Sequence, residues 1–328
     1  MSNDILVIAE PFRGALPEIT FEMTQKAREL AAAAGGRVVG LLAGHQVKPL
    51  ASQMGAADVV IVAESDSLAD VNPDALCEVV VEIVRARKPW LVLIGATSIG
   101  WDLAAHLSAQ LAIPMVASCK DLRVEGGKLI AVSQLYGGKI FIESEIESHP
   151  AVAAVLPGAF RAEKGAAAKA PAIEEVAVKA PSGPARTQFK RLIEPAGGDV
   201  DITQAPVLVS VGRGIQNLDN VPLAQDLADA LGGAVSASRP VIDQGWLPLT
   251  RQVGRSGMTV KPKLYMSLGI SGAPEHVEGM RDAELIVAIN TDPAAPIFDV
   301  AHYGIVADVL ELLPALTAEV SAKKKKAT

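Results

Sequence analysis

The chain has 328 residues, too many for one typical hydrophobic core, so two domains are expected. Hydrophobic residues make up 50% of the chain but aromatic residues only 4%, so the cores are expected to consist of Ala, Val, Leu and Ile, as in parallel sheets covered by helices on both faces. The net charge is −7 and the one run of basic residues is the C-terminal Lys323–Lys326, which argues against a basic nucleic-acid-binding surface.

The sequence up to residue 111 alternates between short apolar runs and longer amphipathic segments. The predicted strands are Ile5–Ala9, Arg37–Leu42, Ala57–Ala63 and Trp90–Ile94, and the predicted helices are Glu18–Ala34, Ala75–Arg87 and Ile99–Leu111. The pair Gly35-Gly36 after the first helix is a typical helix stop signal. Strands separated by helices of this length predict βαβ units and therefore a parallel sheet.

The pattern changes after Asp121. Three β-rich runs joined by short turns, Lys128–Ser133, Gly138–Glu143 and Val152–Leu156, follow one another without an intervening helix. Because short turns connect antiparallel neighbours, these runs predict an antiparallel extension of the first sheet.

A linker separates the two predicted domains. Residues 162–187 are rich in Ala, Lys, Pro and Gly, although Glu174–Lys179 and Gln188–Ile193 alternate in polarity like exposed strands. The pattern breaks at Gly197-Gly198, which places an N-terminal domain at 1–197 and a C-terminal domain at 198–328.

The second half returns to alternating strands and helices. The predicted strands are Pro206–Val211, Ala234–Ser238, Lys263–Leu268 and Leu285–Ile289, and the predicted helices are Val221–Leu231 and Ile305–Val320. The fold class expected from both halves is α/β, with two domains that each have a largely parallel sheet flanked by helices. The C-terminal domain is expected to be doubly wound.

The first half offers few groups for chemistry. Its three histidines, His45, His106 and His149, lack metal-ligand spacing, and Cys77 and Cys119 lie among apolar residues as buried thiols do. The chain starts MSNDILVIAE, without the features of a signal peptide, and no segment has the roughly 18 apolar residues that span a bilayer. A soluble cytoplasmic protein without membrane insertion or a bound metal is expected.

Polar and glycine-rich clusters follow the predicted strands of the second half. They are Gly212-Arg213-Gly214, Ser238-Arg239-Pro240, residues 252–257 (QVGRSG), residues 269–276 (GISGAPEH), and Asn290 with Asp308 further along. Because the carboxyl ends of parallel strands line the ligand crevice of an open sheet, we expect these clusters to converge there.

Each cluster has groups suited to a nucleotide ligand. Arg213 can hold a phosphate or a carboxylate, and the glycines around it allow close backbone approach, although the same sequence also suits an ordinary turn. Pro240 stiffens the backbone directly after Arg239, which favours an arginine held in place for a ligand. The alternative is an arginine in a salt bridge at a strand end. Ser271 and the amides of the short helix that follows it predict a pyrophosphate site.

Residues 238–308 resemble the C-terminal domain of electron transfer flavoprotein alpha subunits. The matching stretches are SRPVIDQGWLP, RQVGRSG, KLYMSLGISGA, LIVAINTDPAAPIF and YGIVADV, in the order and spacing of that family. The resemblance implies a bound FAD whose contacts are Arg213, Ser238, Arg239, Gln252, Val253, Gly254, Arg255, Ser256, Ser271, Gly272, Ala273, Pro274, Glu275, His276, Asn290, Asp308 and Val309.

The resemblance also implies roles and a partner. Arg239 would lie over the isoalloxazine, Ser256 would reach flavin N5, and His276 would approach the C2 carbonyl. The family forms heterodimers with a beta subunit that carries AMP or, in electron-bifurcating members, a second FAD. This chain departs from the family pattern at Pro274 and Glu275, where Ile and Gln are usual.

The function expected from this resemblance is electron carriage without catalysis of its own. Electrons would come from flavin dehydrogenases, in particular acyl-CoA dehydrogenases of fatty acid beta-oxidation, and would pass to a quinone-linked oxidoreductase, with the flavin doing the redox chemistry. Two alternatives stay open, an electron-bifurcating complex whose beta subunit oxidises NADH, and a flavin-free nucleotide-binding module.

Overall fold

The computed structural model describes residues 2–69, 72–162, 170–179, 189–190 and 200–327. The chain divides into two compact units, Met1–Arg191 and Leu192–Thr328, called here the N-terminal and the C-terminal unit. The predicted boundary at Gly197-Gly198 and most of the predicted strand Gln188–Ile193 lie outside the described residues and stay predictions.

The N-terminal unit begins with the predicted alternation of strands and helices. Its elements are β1 Ile5–Ala9, α1 Glu18–Ala34, β2 Val38–Gly44, β3 Val59–Glu64, α2 Pro73–Arg87, β4 Leu91–Gly95, α3 Ser98–Leu111, β5 Met115–Glu125, β6 Lys128–Leu135, β7 Ile140–Ile146, β8 Ala151–Val155 and β9 Ala172–Glu175. The strands form one sheet in the order β7-β6-β5-β8-β4-β1-β2-β3-β9. Among the strand pairs of the described residues, only β5–β6 and β6–β7 are antiparallel.

The predicted antiparallel extension is right for β6 and β7 but wrong for β8. Strand β8 pairs in parallel with β4 and with β5, and all five of its side chains are buried. A strand buried on both faces reads as a continuous apolar run (AVAAV), which does not reveal its direction.

The two faces of this sheet are buried under different helices. Ile5 and Val7 pack with Met23 of α1 on one face. Leu6 and Ile8 pack with side chains of α2 and α3 on the other. This alternation follows from the two-residue period of a strand, and it gives the unit a core on each side of the sheet.

The C-terminal unit has a smaller sheet in which every strand pair is parallel. Its elements are β10 Val207–Val211, α4 Val221–Leu231, β11 Ala234–Ala237, α5 Arg239–Asp243, β12 Leu264–Leu268, α6 Pro274–Glu278, β13 Ile286–Asn290, β14 Tyr303–Val306 and α7 Val309–Ala327. The strand order is β11-β10-β12-β13-β14. The chain direction across the sheet reverses at β10, so the topological switch point lies between β10 and β12.

The closing helix was predicted from Ile305, but it begins at Val309 and is preceded by β14. All four residues of β14 are exposed at the edge of the sheet, so the strand has no alternation of buried and exposed residues for the sequence to show.

Helices and loops cover both faces of the C-terminal sheet, as predicted for a doubly wound fold. One face packs against α4 and α7 through residues such as Leu227 and Leu313. The other packs against α6 and neighbouring loops through Val253, Tyr265 and Met280. The expected fold class is therefore confirmed. Within the described ranges, no helix is long and apolar enough to cross a membrane.

Candidate functional site

A cleft of about 1040 Å³ opens at the carboxyl edge of the C-terminal sheet. Its wall is formed where β10, β11, β12 and β13 end and where α7 begins. The lining residues are Arg213, Gly214, Gln216, Ser238, Arg239, Pro240, Gln252, Val253, Gly254, Arg255, Ser256, Gly269, Ile270, Ser271, Ala273, Glu275, His276, Asn290, Thr291, Ala307, Asp308 and Val309. Of the predicted site residues, all but Gly272 and Pro274 line this cleft.

The glycines at the switch point bring two loops together. The amide of Gly212 donates to Leu268 O (2.8 Å), and that of Gly214 donates to Gly269 O (3.0 Å). A Cβ on Gly212 would lie 2.3 Å from Gly269 O. The sequence predicted that these glycines make room for a ligand. In the structure they make room for the neighbouring loop, and Arg213 lines the cleft with its side chain exposed.

The loop after α5 presents a hydroxyl group to the cleft. Gln252 Nε2 donates to Ser256 Oγ (3.0 Å), so the hydroxyl proton of Ser256 is available for a ligand acceptor. The amide of Arg255 donates to Glu275 O (2.7 Å), which ties this loop to the start of α6. Gly254 has a φ of +133°, and a Cβ there would lie 2.8 Å from Glu275 O, so the close approach requires glycine.

The start of α6 offers fewer free amides than the sequence predicted. Pro274 has no N–H, and the amides of His276 and Val277 both donate to Ala273 O (2.9 and 3.0 Å). Gly272 does not line the cleft because it packs against Ile297, whose amide nitrogen would lie 2.3 Å from a Cβ on Gly272. The predicted pyrophosphate site at this turn therefore depends on Ser271, which is exposed, more than on helix amides.

His276 is buried in the cleft wall, and the protein itself engages both ring nitrogens. Its Nδ1 lies 3.1 Å from Val253 O, and its Nε2 lies 2.9 Å from the hydroxyl of Tyr265. Burial lowers the pKa of His276 to about 4, so the ring is neutral at physiological pH. The contact with the flavin C2 carbonyl that the resemblance implied would require the ring to release one of these partners.

Asn290 and Asp308 help to shape the loops that carry them. Asn290 Nδ2 donates to Ile270 O (2.9 Å), and its Oδ1 accepts from the amide of Asp292 (3.0 Å). Asp308 Oδ1 accepts from the amide of Leu310 (2.8 Å) in the first turn of α7. Both side chains are thus held in fixed orientations at the cleft, with hydrogen-bonding capacity left for a ligand.

Positive charge exceeds negative charge along the cleft. Its charged lining residues are the cations Arg213, Arg239 and Arg255 and the anions Glu275 and Asp308. All three arginines are exposed, and Arg239 Nε lies 3.4 Å from Asp243 Oδ2, the ion pair that was the alternative for this residue. Guanidinium groups bind phosphates well, so the charges suit a diphosphate ligand.

Three lining residues were not predicted at all, namely Gln216, Thr291 and Ala307. Thr291 directly follows Asn290 at the end of β13. The expectation that the carboxyl ends of parallel strands line the cleft would therefore have identified it. Gln216 has a φ of +71°, a turn conformation that the sequence does not indicate for glutamine.

Comparison with known proteins assigns each unit. Residues 5–181 match the model of the electron transfer flavoprotein domain, and residues 201–281 match that of the electron transfer flavoprotein FAD-binding domain.

Curated relatives match nearly the whole chain. The protein FixB of Clostridium saccharobutylicum is 38% identical, with 96% of this chain and 95% of that protein covered. The electron transfer flavoprotein subunit alpha of Clostridium acetobutylicum is 36% identical, with 97% of both chains covered. The acryloyl-CoA reductase electron transfer subunit beta of Anaerotignum propionicum is 36% identical, with 95% of this chain and 94% of that protein covered.

The cleft fits the FAD that the second family model indicates. Its volume reaches the upper end of the range for small-molecule sites, and it combines glycine-lined backbone, hydroxyl groups and three guanidinium groups. A planar ring system and a diphosphate both find suitable neighbours there, so the expected cofactor, FAD, is supported and the flavin-free alternative is set aside. The chain belongs to the electron transfer flavoprotein family as an alpha subunit, with a role in electron transfer.

Proposed function

We propose that this chain is the FAD-holding subunit of a heterodimer that carries electrons from flavin dehydrogenases to a quinone-linked oxidoreductase. Acyl-CoA dehydrogenases of fatty acid beta-oxidation are the proposed donors. The observation that carries this proposal is the convergence of five strand-end clusters on one cleft with the charges and hydroxyl groups that FAD needs. Bound FAD takes up and releases the electrons, so the protein needs no general base or nucleophile.

The side chains divide the work of holding the cofactor. Arg213 binds phosphate oxygens, and Arg239 supplies positive charge beside the ring system. Ser256 donates its hydroxyl proton to a ring nitrogen, since its oxygen already accepts from Gln252. Asn290 and Asp308 bind the sugar and ribityl hydroxyl groups. Each of these contacts is a proposal supported by the position of the residue in the cleft wall.

The N-terminal unit is proposed to contact the beta subunit, which carries AMP. Support comes from an apolar surface around the start of β7. Tyr136, Ile140, Phe141 and Ile142 are 73%, 48%, 53% and 43% exposed. An edge strand with this many exposed apolar side chains is a site for pairing with another chain.

A matched pair of substitutions tests this contact. Ile140 on β7 and Ile173 on β9 are both 48% exposed and lie on opposite edge strands of the same sheet. We expect Ile140→Asp to weaken co-purification with the beta subunit at least tenfold, because it places an unpaired charge in the interface. Ile173→Asp should leave association unchanged. Equal effects of the two substitutions would show that β7 is not the contact.

A second function is favoured by one relative. The Anaerotignum propionicum protein is named as an electron transfer subunit of an acryloyl-CoA reductase. A chain of this kind could deliver electrons towards a CoA-ester reductase, within an electron-bifurcating complex whose beta subunit oxidises NADH and holds a second FAD.

Flavin counting on the purified heterodimer distinguishes the two functions. One FAD and one AMP per dimer, with reduction by an acyl-CoA dehydrogenase and its substrate but not by NADH, is the result that we expect. Two FAD per dimer and reduction by NADH would establish the bifurcating function instead. A heterodimer that stays colourless after incubation with FAD would contradict both.

A further inference from the structure

Two side chains of opposite charge reach the cleft from neighbouring segments. Arg255 lies in the loop after α5, and Glu275 lies in the first turn of α6. Both residues line the cleft, and both are exposed. Within the described ranges, neither side chain takes part in an ion pair or in a hydrogen bond with another protein group. Both charges are therefore available to a ligand.

The main chain holds these two residues side by side. The amide of Arg255 donates to Glu275 O (2.7 Å). The segments can approach this closely because positions 254 and 279 are glycines. A Cβ on Gly254 would lie 2.8 Å from Glu275 O, and a Cβ on Gly279 would lie 2.5 Å from Gly254 N. The side chains of Arg255 and Glu275 therefore leave the cleft wall from adjacent points.

The other two arginines of the cleft belong to different segments. Arg213 follows β10, and Arg239 begins α5, where its Nε lies 3.4 Å from Asp243 Oδ2. Among the described lining residues, Arg255 is thus the cation whose main chain is bonded to that of Glu275.

We propose that Arg255 helps to set the reduction potential of bound FAD by offsetting the charge of Glu275. Electrons bring negative charge to the ring system, which a carboxylate in the cleft wall opposes and a guanidinium favours. Because the cofactor displaces water from the cleft, the two charges are screened less when it is bound. This inference rests on the proposed FAD site.

The position of Ser256 places this pair of charges at the ring system rather than at the diphosphate. Ser256 directly follows Arg255, and its hydroxyl, which accepts from Gln252 Nε2 (3.0 Å), is the group proposed to donate to a ring nitrogen. A cation one residue away acts on the same end of the cofactor. Since glutamine is usual in the family where this chain has Glu275, the carboxylate and its compensation are features of this chain.

A double-mutant cycle on the full-length chain in its heterodimer tests the offset. The four proteins are the wild type, Arg255→Gln, Glu275→Gln and the double variant, and spectroelectrochemical titration measures the reduction potential of the bound FAD. We expect the equilibrium constant for reduction to fall about threefold or more in Arg255→Gln and to rise about threefold or more in Glu275→Gln. In the double variant it should return to within about twofold of the wild type, because both charges are gone.

Two further variants separate the local charge from other effects. Arg255→Lys keeps the positive charge, so its potential should lie closer to that of the wild type than the potential of Arg255→Gln does. Lys261→Gln removes an exposed cation of the same unit that does not line the cleft, and it should leave the potential unchanged.

Several results would overturn the proposal. An unchanged potential in Arg255→Gln would do so, as would shifts of the same sign in both single variants, because a disturbance of the loop would move both alike. A double variant that differs from the wild type by more than about twofold would show that the charges do not offset each other.

Loss of FAD from Arg255→Gln would also overturn the proposal, because Arg255 would then hold the cofactor rather than set its potential. Failure of the wild-type heterodimer to bind FAD would instead contradict the proposed function.

Discussion

At the scale of single residues, Arg239 and His276 both line the cleft but differ in burial, and therefore in the charge that they can present to a bound cofactor. The side chain of Arg239 is 68% exposed, so its charge is available to a ligand that displaces water and Asp243. His276 is only 6% exposed, and burial lowers its pKa to about 4, so the ring carries no charge at neutral pH. The resemblance implied that His276 approaches the flavin C2 carbonyl. The sequence did not reveal the burial of His276 or its contact with Tyr265, because both depend on how the strand and the loops pack.

Replacing Arg239 should lower the reduction potential of the bound FAD without releasing it. A cation near the ring system favours the negative charge that electrons bring, and we expect Arg239→Ala to lower the potential by roughly tens of millivolts, because solvent screens part of the effect. The reduction potential in Arg239→Lys, which keeps the charge, should lie between those of the wild type and of Arg239→Ala. Spectroelectrochemical titration checks this, and an unchanged potential in Arg239→Ala with FAD still bound contradicts it.

The lowered pKa of His276 predicts that the C-terminal unit loses stability in mild acid. In the unfolded chain histidine has a pKa near 6.5, whereas in the folded unit the pKa is about 4. Between these values the unfolded state binds more protons, so stability is full above about pH 6.5 and falls as the pH approaches 4, by about 3 kcal/mol.

Calorimetry can isolate this effect. Added FAD should raise the unfolding temperature of the C-terminal unit, which identifies the transition that belongs to this unit. His276→Gln keeps one donor and one acceptor, and it should make this transition less sensitive to pH between about 6.5 and 4. Equal pH sensitivity in both proteins would show that other groups control the acid response.

At the scale of elements, the sequence predicted a strand that is one continuous apolar run and helices that have one buried face. Strand β1 and helices α1 and α4 begin and end where the pattern placed them. Strand β5 was missed because irregular pairing around Cys119 breaks its two-residue alternation and because Lys120 and Asp121 interrupt its apolar residues.

The expectation that the carboxyl ends of parallel strands line the cleft predicted most of the candidate site, but it did not predict how the loops pack. It placed residues on five separate segments at one edge, because strands of a parallel sheet end on the same side. The contacts of Gly212 with the loop after β12, and of Gly272 with Ile297, lie between residues distant in sequence, so no local pattern reveals them.

The close approach of the two switch-point loops should be essential for FAD binding. In Gly212→Ala the new methyl group would lie 2.3 Å from Gly269 O and would push the loops apart. We expect the FAD dissociation constant to rise at least tenfold, about 1.4 kcal/mol. The control is Gly245→Ala, where a Cβ meets nothing within 4 Å, although the φ of +73° makes alanine strained there.

Isothermal titration with FAD separates these two effects. Gly245→Ala should lose stability but bind FAD as the wild type does. If both variants bind FAD equally well, the packing of the switch-point loops is not what shapes the cleft.

At the scale of the whole molecule, each unit has its own sheet with cores on both faces. All residues that line the cleft belong to the C-terminal unit, and the exposed apolar strand β7 belongs to the N-terminal unit. Because each unit buries its own apolar residues, we expect each to fold without the other. Cofactor binding and subunit contact would then be separate properties of separate units.

Separate expression of the two units tests this division. Residues 200–328 should fold and bind FAD, because they contain every described residue that lines the cleft, and residues 1–190 should fold without binding flavin. The affinities to compare are those of the two units and that of Gly212→Ala in residues 200–328, which should bind FAD at least tenfold more weakly than the unchanged residues 200–328. Flavin fluorescence and absorbance report the bound cofactor. Flavin bound by residues 1–190, or a folded C-terminal unit that binds none, would contradict this division.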